Sequence, residues 1–379
     1  MGYVLDEAQK ALVANAHEFC EKEIKPNIAQ WDRDGVFPLE SYKRAMDLGF
    51  HIMEIPEEYG GLGLSYVTVA AVMEEFGKYD LGYATTIMGT TLSLKTVLMN
   101  GTDAQKQMYA DVIIPGGIGA FALTEPNAGS DAASVKTKAD KVGDEYILNG
   151  SKCFITNAQF ADIFVVFAST DREKGVKGLS AFIVEADRPG ITIDKDEDKM
   201  GIRTSNTASV TFQDVHIPAD HLLGKEGSGF KYAMQTLDLA RPVVGAAAVG
   251  LAQRCVDEAG TYMKQRICFG KPIARLQALQ FMLADMEIRT ETARQMVAHC
   301  LSLADQHIPY GREAAIAKCY AGDIAFQNAS DCIQILGGYG YSREYPVEKL
   351  LRDAKVLQIY EGTNQVQRVV VSGHVLARY

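Results

Sequence analysis

One acid stands out in the stretch "IYEGTN", Ile359 to Asn364. Glu361 follows a bulky aromatic and precedes a glycine, and Thr363 reads as the N-cap of the run "NQVQRVVVSGHVLA". Two readings fit a carboxylate at that place. It is a surface charge that favours the positive end of a helix dipole, or it is a base held against a substrate by a glycine turn. A second group lies far upstream, in "FALTEPNAGSD" (Phe121 to Asp131) and "KCFITNA" (Lys152 to Ala158). There the hydroxyls of Thr124 and Thr156, with nearby backbone amides, could hydrogen-bond the edge of a flat heteroaromatic ring while Phe154 packs on its face. An ordinary strand core with polar edges is the other reading.

Other chemistries find little support. The seven cysteines are scattered, odd in number and without a C-x-x-C, so neither a disulfide framework nor a zinc site is indicated. The seven histidines are equally dispersed. "GKEGSGFK" has the wrong glycine spacing for a dinucleotide fingerprint, "LGGYGYSREY" follows a helical run, and no Walker A pattern occurs. The formal net charge of −10 and the pI near 5.3 argue against a nucleic-acid partner.

The elements that must position these residues fall into three textures. Residues 1–117 carry apolar positions at helical spacing, as in "DEAQKALVANAHEFCEKEIKPNIAQWDRDG", with a glycine-rich loop at "IPEEYGGLGLSY". Residues 118–228 read as strands with polar turns and no intervening helices, which predicts an antiparallel sheet or barrel. Asn149-Gly150, between two β-rich runs, predicts a hairpin turn. Residues 229–379 are helical again: a long segment with a kink expected at Pro242, two more long helices, and short ones after Pro346 and Thr363.

The chain has 379 residues, 47% of them hydrophobic, enough for more than one core. No apolar run reaches the ~18 residues of a membrane span. The N-terminus lacks a signal-peptide layout, and Asp6 stands where a myristoylation motif wants Ser or Thr. A cytoplasmic location is the expectation.

Taken together, "FALTEPNAGSD", "KCFITNA", "QRICFGKPI", "AKCYAGDIA", "QILGGYGYSREYPVEKLLRDAK" and "QIYEGTNQVQR" resemble the motifs of the acyl-CoA dehydrogenase family, in the family's order and over essentially the whole chain. The resemblance implies an α+β multidomain fold: an N-terminal helical domain, a middle antiparallel β domain and a C-terminal four-helix-bundle domain. It implies FAD between the second and third, in a homotetramer. Its flavin contacts carry over to Phe121, Leu123, Thr124, Phe154 and Thr156; the family commonly has Trp where Phe154 stands. Ser130 matches a contact shared by cofactor and CoA. Arg266, Phe269 and Gln277 match contacts to the FAD pyrophosphate and its surroundings. Gln334, Ile335, Leu336, Gly337 and Gly338 match the stretch that reaches a neighbouring subunit's FAD. Thr363, Asn364 and Gln365 match contacts after the base.

On the substrate side, the resemblance assigns Asp238 and Arg241 to CoA, Gly362 to close approach of the ligand, and Met88 to the end of the acyl chain. The stretch "YATTIMGTTLSL" around Met88 carries no charge, which predicts an apolar tail. Glu361 matches the catalytic base. The subgroup that puts its base before Arg241 is excluded, because Ala240 stands there. The implied reaction is α,β-dehydrogenation of a short- or medium-chain acyl-CoA, with electrons passed to an electron-transferring flavoprotein. An enoyl-CoA reductase running the other way, an oxidase and a non-catalytic acyl-CoA-binding protein are the alternatives.

Overall fold

The structure, a computed structural model, describes Tyr3 to Tyr379. Side-chain caps start most of the N-terminal helices. Asp6 accepts from the Gln9 amide, and the Gln9 side chain returns the bond to the Asp6 N–H at the head of α1 (Glu7–Phe19). A π turn, Cys20–Ile24, leads to α2 (Ile28–Asp34) and α3 (Leu39–Asp47). Ser65 caps α4 (Tyr66–Tyr79), Asp80 caps α5 (Leu81–Asn100), and Thr102 with Gln105 boxes α6 (Asp103–Ile113). α5 is buried on nearly every side between Leu81 and Val97, as a helix wedged between layers must be.

Seven strands follow in one sheet: β1 (Gly119–Ala122), β2 (Lys138–Val142), β3 (Glu145–Thr156), β4 (Ile163–Ser169), β5 (Leu179–Glu185), β6 (Ile191–Ile193) and β7 (Thr207–Pro218). The order is β1-β4-β2-β3-β7-β6, with β5 on the other flank of β4. Most pairs are antiparallel, as expected, but β1 and β2 both lie parallel to β4. The chain between β1 and β4 is long enough to return in the same direction.

The Asn149-Gly150 hairpin is not found. "EYILNGSKCFIT" is one strand, and the turn that opens it is Gly143-Asp144, where Val142 pairs with Glu145. Asn149 instead grips β7, its side-chain Oδ1 accepting from the Asp214 N–H at 2.9 Å, at a shift of register between Leu148 and Gly150. A Cβ on Gly150 would lie 2.4 Å from the Thr137 hydroxyl, so the glycine serves a close crossing and not a turn.

α7 (Gly229–Gln265) runs the length of the helical layer. It continues through Pro242, whose ring leaves the Asp238 carbonyl without its intrahelical partner. A small hairpin, β8 (Ile267–Cys268) and β9 (Lys271–Pro272), leads to α8 (Gln277–Asp305), α9 (Gly311–Leu336), α10 (Val347–Val356) and α11 (Asn364–Leu376). Glycine lets α4 and α7 touch: a Cβ on Gly77 would sit 2.2 Å from the Ala247 carbonyl, and one on Gly250 2.0 Å from that of Glu74. A buried cluster ties the three parts together. Lys349 of α10 lies between Asp80, 2.5 Å away, and Asp353, while the Ile202 N–H donates to Asp353 and Thr204 to Asp80.

Candidate active site

Glu361 occupies the turn between α10 and α11. Its φ is +56°, and that of Gly362 is +85°. For Glu361 such a backbone costs roughly 1–3 kcal/mol, so something must hold it. Thr363 caps α11 by accepting from the Val366 N–H. Gln367, one turn on, donates to the carbonyls of both Glu361 and Gly362, each at 3.1 Å. Lys318 of α9 donates to the Gly362 carbonyl at 2.7 Å, and Arg241 of α7 approaches the Glu361 carbonyl at 3.4 Å. Both carbonyls are thus held by side chains, and the Glu361 N–H has no acceptor among the described residues.

The carboxylate is treated differently from the backbone. Its Oε2 is buried and has no hydrogen-bond partner. Burial pushes its pKa up, against the nearby cations Arg241, Lys318 and Lys95, which pull it down. With Oε2 buried and no donor on it, the side chain of this half-buried residue is a carboxylate available to take a proton. Lys318 is itself pulled down to about 8 by burial, with Glu361 opposing.

Asn364, expected beside a cofactor, has its side chain engaged within the protein. It accepts from Lys318 and donates to the Cys319 carbonyl and to Asp323. Gln365 is exposed. Arg241 forms an ion pair with Asp238, whose own pKa burial raises against Arg241.

The second sequence group is assembled on adjoining strands. Phe154 lies in β3 with φ +56° and its side chain 66% exposed, an apolar ring without a cover. Thr156 ends the same strand. The Cys153 N–H donates to the Thr124 carbonyl at 2.9 Å, which locks the Leu123–Glu125 loop to β3. Beneath it, buried Lys152 donates to the Leu123 carbonyl at 3.0 Å and to Glu125 at 2.8 Å. Phe121 packs on Phe167, and Ser130 is exposed on the loop beyond. α5 comes against this edge: a Cβ on Gly89 would meet the Thr156 methyl at 2.8 Å. Met88, the neighbouring residue, is 92% buried, its exposure being 8%.

Arg266 and its companions form a third, exposed group. The Arg266 guanidinium lies over the Tyr339 ring, 5.4 Å from its centre. Phe269 is 91% exposed at φ +52°, and Gln277 is exposed at the head of α8. Gln334, Gly337 and Gly338 are exposed, whereas the Ile335 and Leu336 side chains point into the core and leave only their backbone for a ligand. A Cβ at Gly337 or Gly338 would touch nothing within 4 Å, so both present open backbone. No hydrogen bond or ion pair among the described residues joins this group to Glu361 or Thr156.

These features suit a flavin. Exposed Phe154 offers a face to a flat ring, the hydroxyls of Thr124 and Thr156 offer its edge polar partners, and exposed Arg266 suits a pyrophosphate. The sequence reading gave no role to Lys318 or Gln367. The only signal for Lys318 is a lone cation among the small residues of "AAIAKCYAGDIA".

Comparison with known proteins agrees with this architecture. Models of the acyl-CoA dehydrogenase N-terminal, middle and C-terminal domains match residues 6–116, 120–215 and 227–376. The short-chain-specific acyl-CoA dehydrogenase of Megasphaera elsdenii is 45% identical over 385 residues, covering 99% of this chain and 100% of the relative. The acryloyl-CoA reductase (NADH) of Anaerotignum propionicum is 43% identical over 381 residues, covering 100% and 97%. A chain solved in work on the electron transferring flavoprotein of Acidaminococcus fermentans, and its flavin-based electron bifurcation, superposes with a TM-score of 0.97 at 45% identity, covering 99% of this chain and 100% of that one. With three domain models matched in order across nearly its whole length, and a glutamate with a buried, unpaired Oε2 on the turn before the last helix, the chain belongs to the acyl-CoA dehydrogenase family.

Proposed function

We propose that this protein is an FAD-dependent acyl-CoA dehydrogenase that converts a short-chain acyl-CoA to the trans-2-enoyl thioester, with Glu361 as its base. The observation that carries the reading is the Glu361 carboxylate: its Oε2 is buried and without a partner, on a turn where the Glu361 and Gly362 carbonyls are both held by side chains. Bound FAD supplies the hydride acceptor. The Glu361 carboxylate takes the α proton. The Glu361 N–H, free of any acceptor in the chain, donates to the thioester carbonyl and stabilises developing enolate charge. Arg241 and Asp238 bind on the CoA side, Met88 faces the acyl chain, and Gly362 allows close approach. Phe121, Leu123, Thr124, Ser130, Phe154 and Thr156 hold the flavin end.

The exposed group around Arg266, Phe269, Gln277 and Gln334–Gly338 is read as the seat of the rest of the FAD. That no hydrogen bond or ion pair joins it to Glu361 within the described chain is compatible with completion of each site by a second copy, and the family resemblance makes the assembly a homotetramer. Short-chain specificity rests on the Megasphaera relative. Electron transfer to a flavoprotein partner rests on the Acidaminococcus neighbour. A cytoplasmic location is part of the same reading.

Anaerobic addition of butyryl-CoA to the purified protein tests the proposal. The flavin absorbance should bleach; a flavin indifferent to every acyl-CoA from C4 to C8 sinks it. The Anaerotignum relative supports a second reading, reduction of a short enoyl-CoA. Faster turnover of crotonyl-CoA with NADH and an electron-transferring flavoprotein than of butyryl-CoA with an oxidant would establish that direction.

A further inference from the structure

A circuit of contacts closes on the Asp238 side of Glu361. On α7, Thr236 donates to the Thr96 hydroxyl of α5 at 3.1 Å. Two residues on, Asp238 lies beside Gly311, whose Cβ would come within 3.5 Å of its carboxylate. The turn before Gly311 returns to α4, where the Asp305 carboxylate accepts from the N–H groups of Tyr66 and Val67. The loop leading into α4 folds on itself: Leu64 N–H donates to the Met53 carbonyl and Gly63 N–H to that of Ile55, which fixes Glu54 between them. Glu54 Oε1 then accepts from Lys95 at 2.6 Å, on α5 and next to Thr96, so the circuit is complete.

Helix geometry sets its level. Arg241, which meets the Glu361 carbonyl, is five residues beyond Thr236, or about 7.5 Å along α7. Asp238 falls between them. Met88 is seven residues before Lys95, about 10 Å back along α5. The Lys95–Glu54 pair therefore stands on the CoA side of the base, and Met88 on the acyl side. The charges of the pair reach both neighbours: Lys95 pulls Glu361 down, and Glu54 adds to the burial that pushes the Tyr66 hydroxyl up.

The pair is built but incomplete. Both side chains are at least 97% buried, with exposures of 3% and 2%. Glu54 Oε2 has no hydrogen-bond partner. The Lys95 ammonium donates to Glu54 and to the Thr91 hydroxyl, and its third proton has no acceptor among the described residues. A buried ion pair is weak support for stability, and a buried oxygen left unpaired opposes it. One donor and one acceptor thus remain, on a pair whose net charge is zero. A carboxylate or an ammonium ligand would upset that balance. A neutral secondary amide matches it.

Resting on the acyl-CoA reading above, we propose that Lys95 and Glu54 form a subsite for the pantetheine amide nearest the sulfur. Lys95 donates to the amide carbonyl, and Glu54 Oε2 accepts from the amide N–H. The pair thereby helps set the thioester in register with Glu361.

The test uses the FAD-loaded enzyme and three butyryl thioesters: that of N-acetylcysteamine, its ester analogue without the N–H, and a hydrocarbon analogue without either polar atom. Anaerobic flavin bleaching gives kcat/KM for each. The amide should exceed the ester about tenfold and the hydrocarbon by about a hundredfold, as for charge-assisted hydrogen bonds whose loss leaves buried groups unpaired. In the double variant Lys95→Met/Glu54→Leu, with flavin content checked, the preference should fall below about threefold. Equal use of amide and ester by the wild type, or an undiminished preference in the double variant, overturns the subsite. Should the double variant fail to fold, the wild-type comparison decides alone. If butyryl-CoA itself leaves the flavin oxidised, the acyl-CoA reading fails and takes the subsite with it; bleaching by butyryl-CoA without amide preference removes only the subsite.

Discussion

Lys318 reaches from α9 to the Gly362 carbonyl across 2.7 Å, one residue past Glu361, the proposed base. It does two things there. It fixes the peptide that holds Glu361 at positive φ, and it puts a cation near a carboxyl whose pKa burial pushes up. One side chain thus bears on both the backbone of the turn and the acidity of Glu361, beside Arg241 and Gln367.

Replacing Lys318 by Met separates these effects from simple packing. The Gly362 carbonyl keeps Gln367 but loses its charged donor, so stability should drop by about 1–3 kcal/mol. A cation favours the charged carboxylate, so its removal raises the Glu361 pKa further. The acid limb of the kcat/KM profile should therefore move to higher pH, and Lys318→Arg should restore part of the shift. A profile that does not move would show that Lys318 only packs.

Glu361→Gln should keep the fold and the FAD while losing dehydrogenation by roughly 10²–10⁴, the usual contribution of a general base. The amide is near-isosteric and cannot take the proton. Single-turnover flavin reduction measures this directly. A loss of only about tenfold would move the base to another residue.

How much of this was legible depended on distance along the chain. Thr363 and Glu361 are local: a cap residue, a glycine and an apolar run announce a turn before a helix, and the structure has it. The α–β–α order was legible from periodicity for the same reason. Asn149-Gly150 misled because a local turn signal was overridden by tertiary crowding. Thr137, just before the neighbouring strand β2, needs a residue without a side chain opposite it. Lys95 and Glu54 are 41 residues apart, and nothing in "YATTIMGTTLSL" says that the next charge is buried against a glutamate from a distant loop. The apolar tail expected from that stretch is thus only part of the pocket's chemistry.

Gly89→Ala should act on the cofactor and not on the base. Its new methyl would lie 2.8 Å from the Thr156 methyl and 3.0 Å from the Asn157 amide nitrogen, and Asn157 is already bonded to α5. The strand end must shift, at about 1–3 kcal/mol for overpacking. The ratio of flavin to protein absorbance after gel filtration should fall. An unchanged ratio would dissociate Thr156 from the flavin site.

The Asp80–Lys349–Asp353 cluster gives a pH signature. Burial first, then the Asp80 charge, raise the Asp353 pKa to about 6 despite Lys349. The unfolded value is about 4, so between pH 4 and 6 the folded state binds more protons than the unfolded one. This stabilising contribution is full below about pH 4 and is lost as pH rises through 6. Asp353→Asn should lower stability overall, since it weakens a buried pair, and should also remove this downward slope. Chemical denaturation at pH 4, 5, 6 and 7 checks it; parallel curves for the two proteins would show that Asp353 is already ionised throughout the range.

The final prediction concerns where the electrons go. In the proposed reaction, reduced FAD must pass two electrons on to an acceptor. The Acidaminococcus neighbour supports an external carrier, an electron-transferring flavoprotein. The competing acceptor is oxygen. While the enoyl thioester stays in place, it should keep water and oxygen from the reduced ring, as a closed site does. Reoxidation of the product-bound reduced enzyme, followed by stopped flow, should therefore be rapid with the flavoprotein and slow in air. If air reoxidises it as fast, the protein works as an oxidase, and the enoyl product does not shield the flavin.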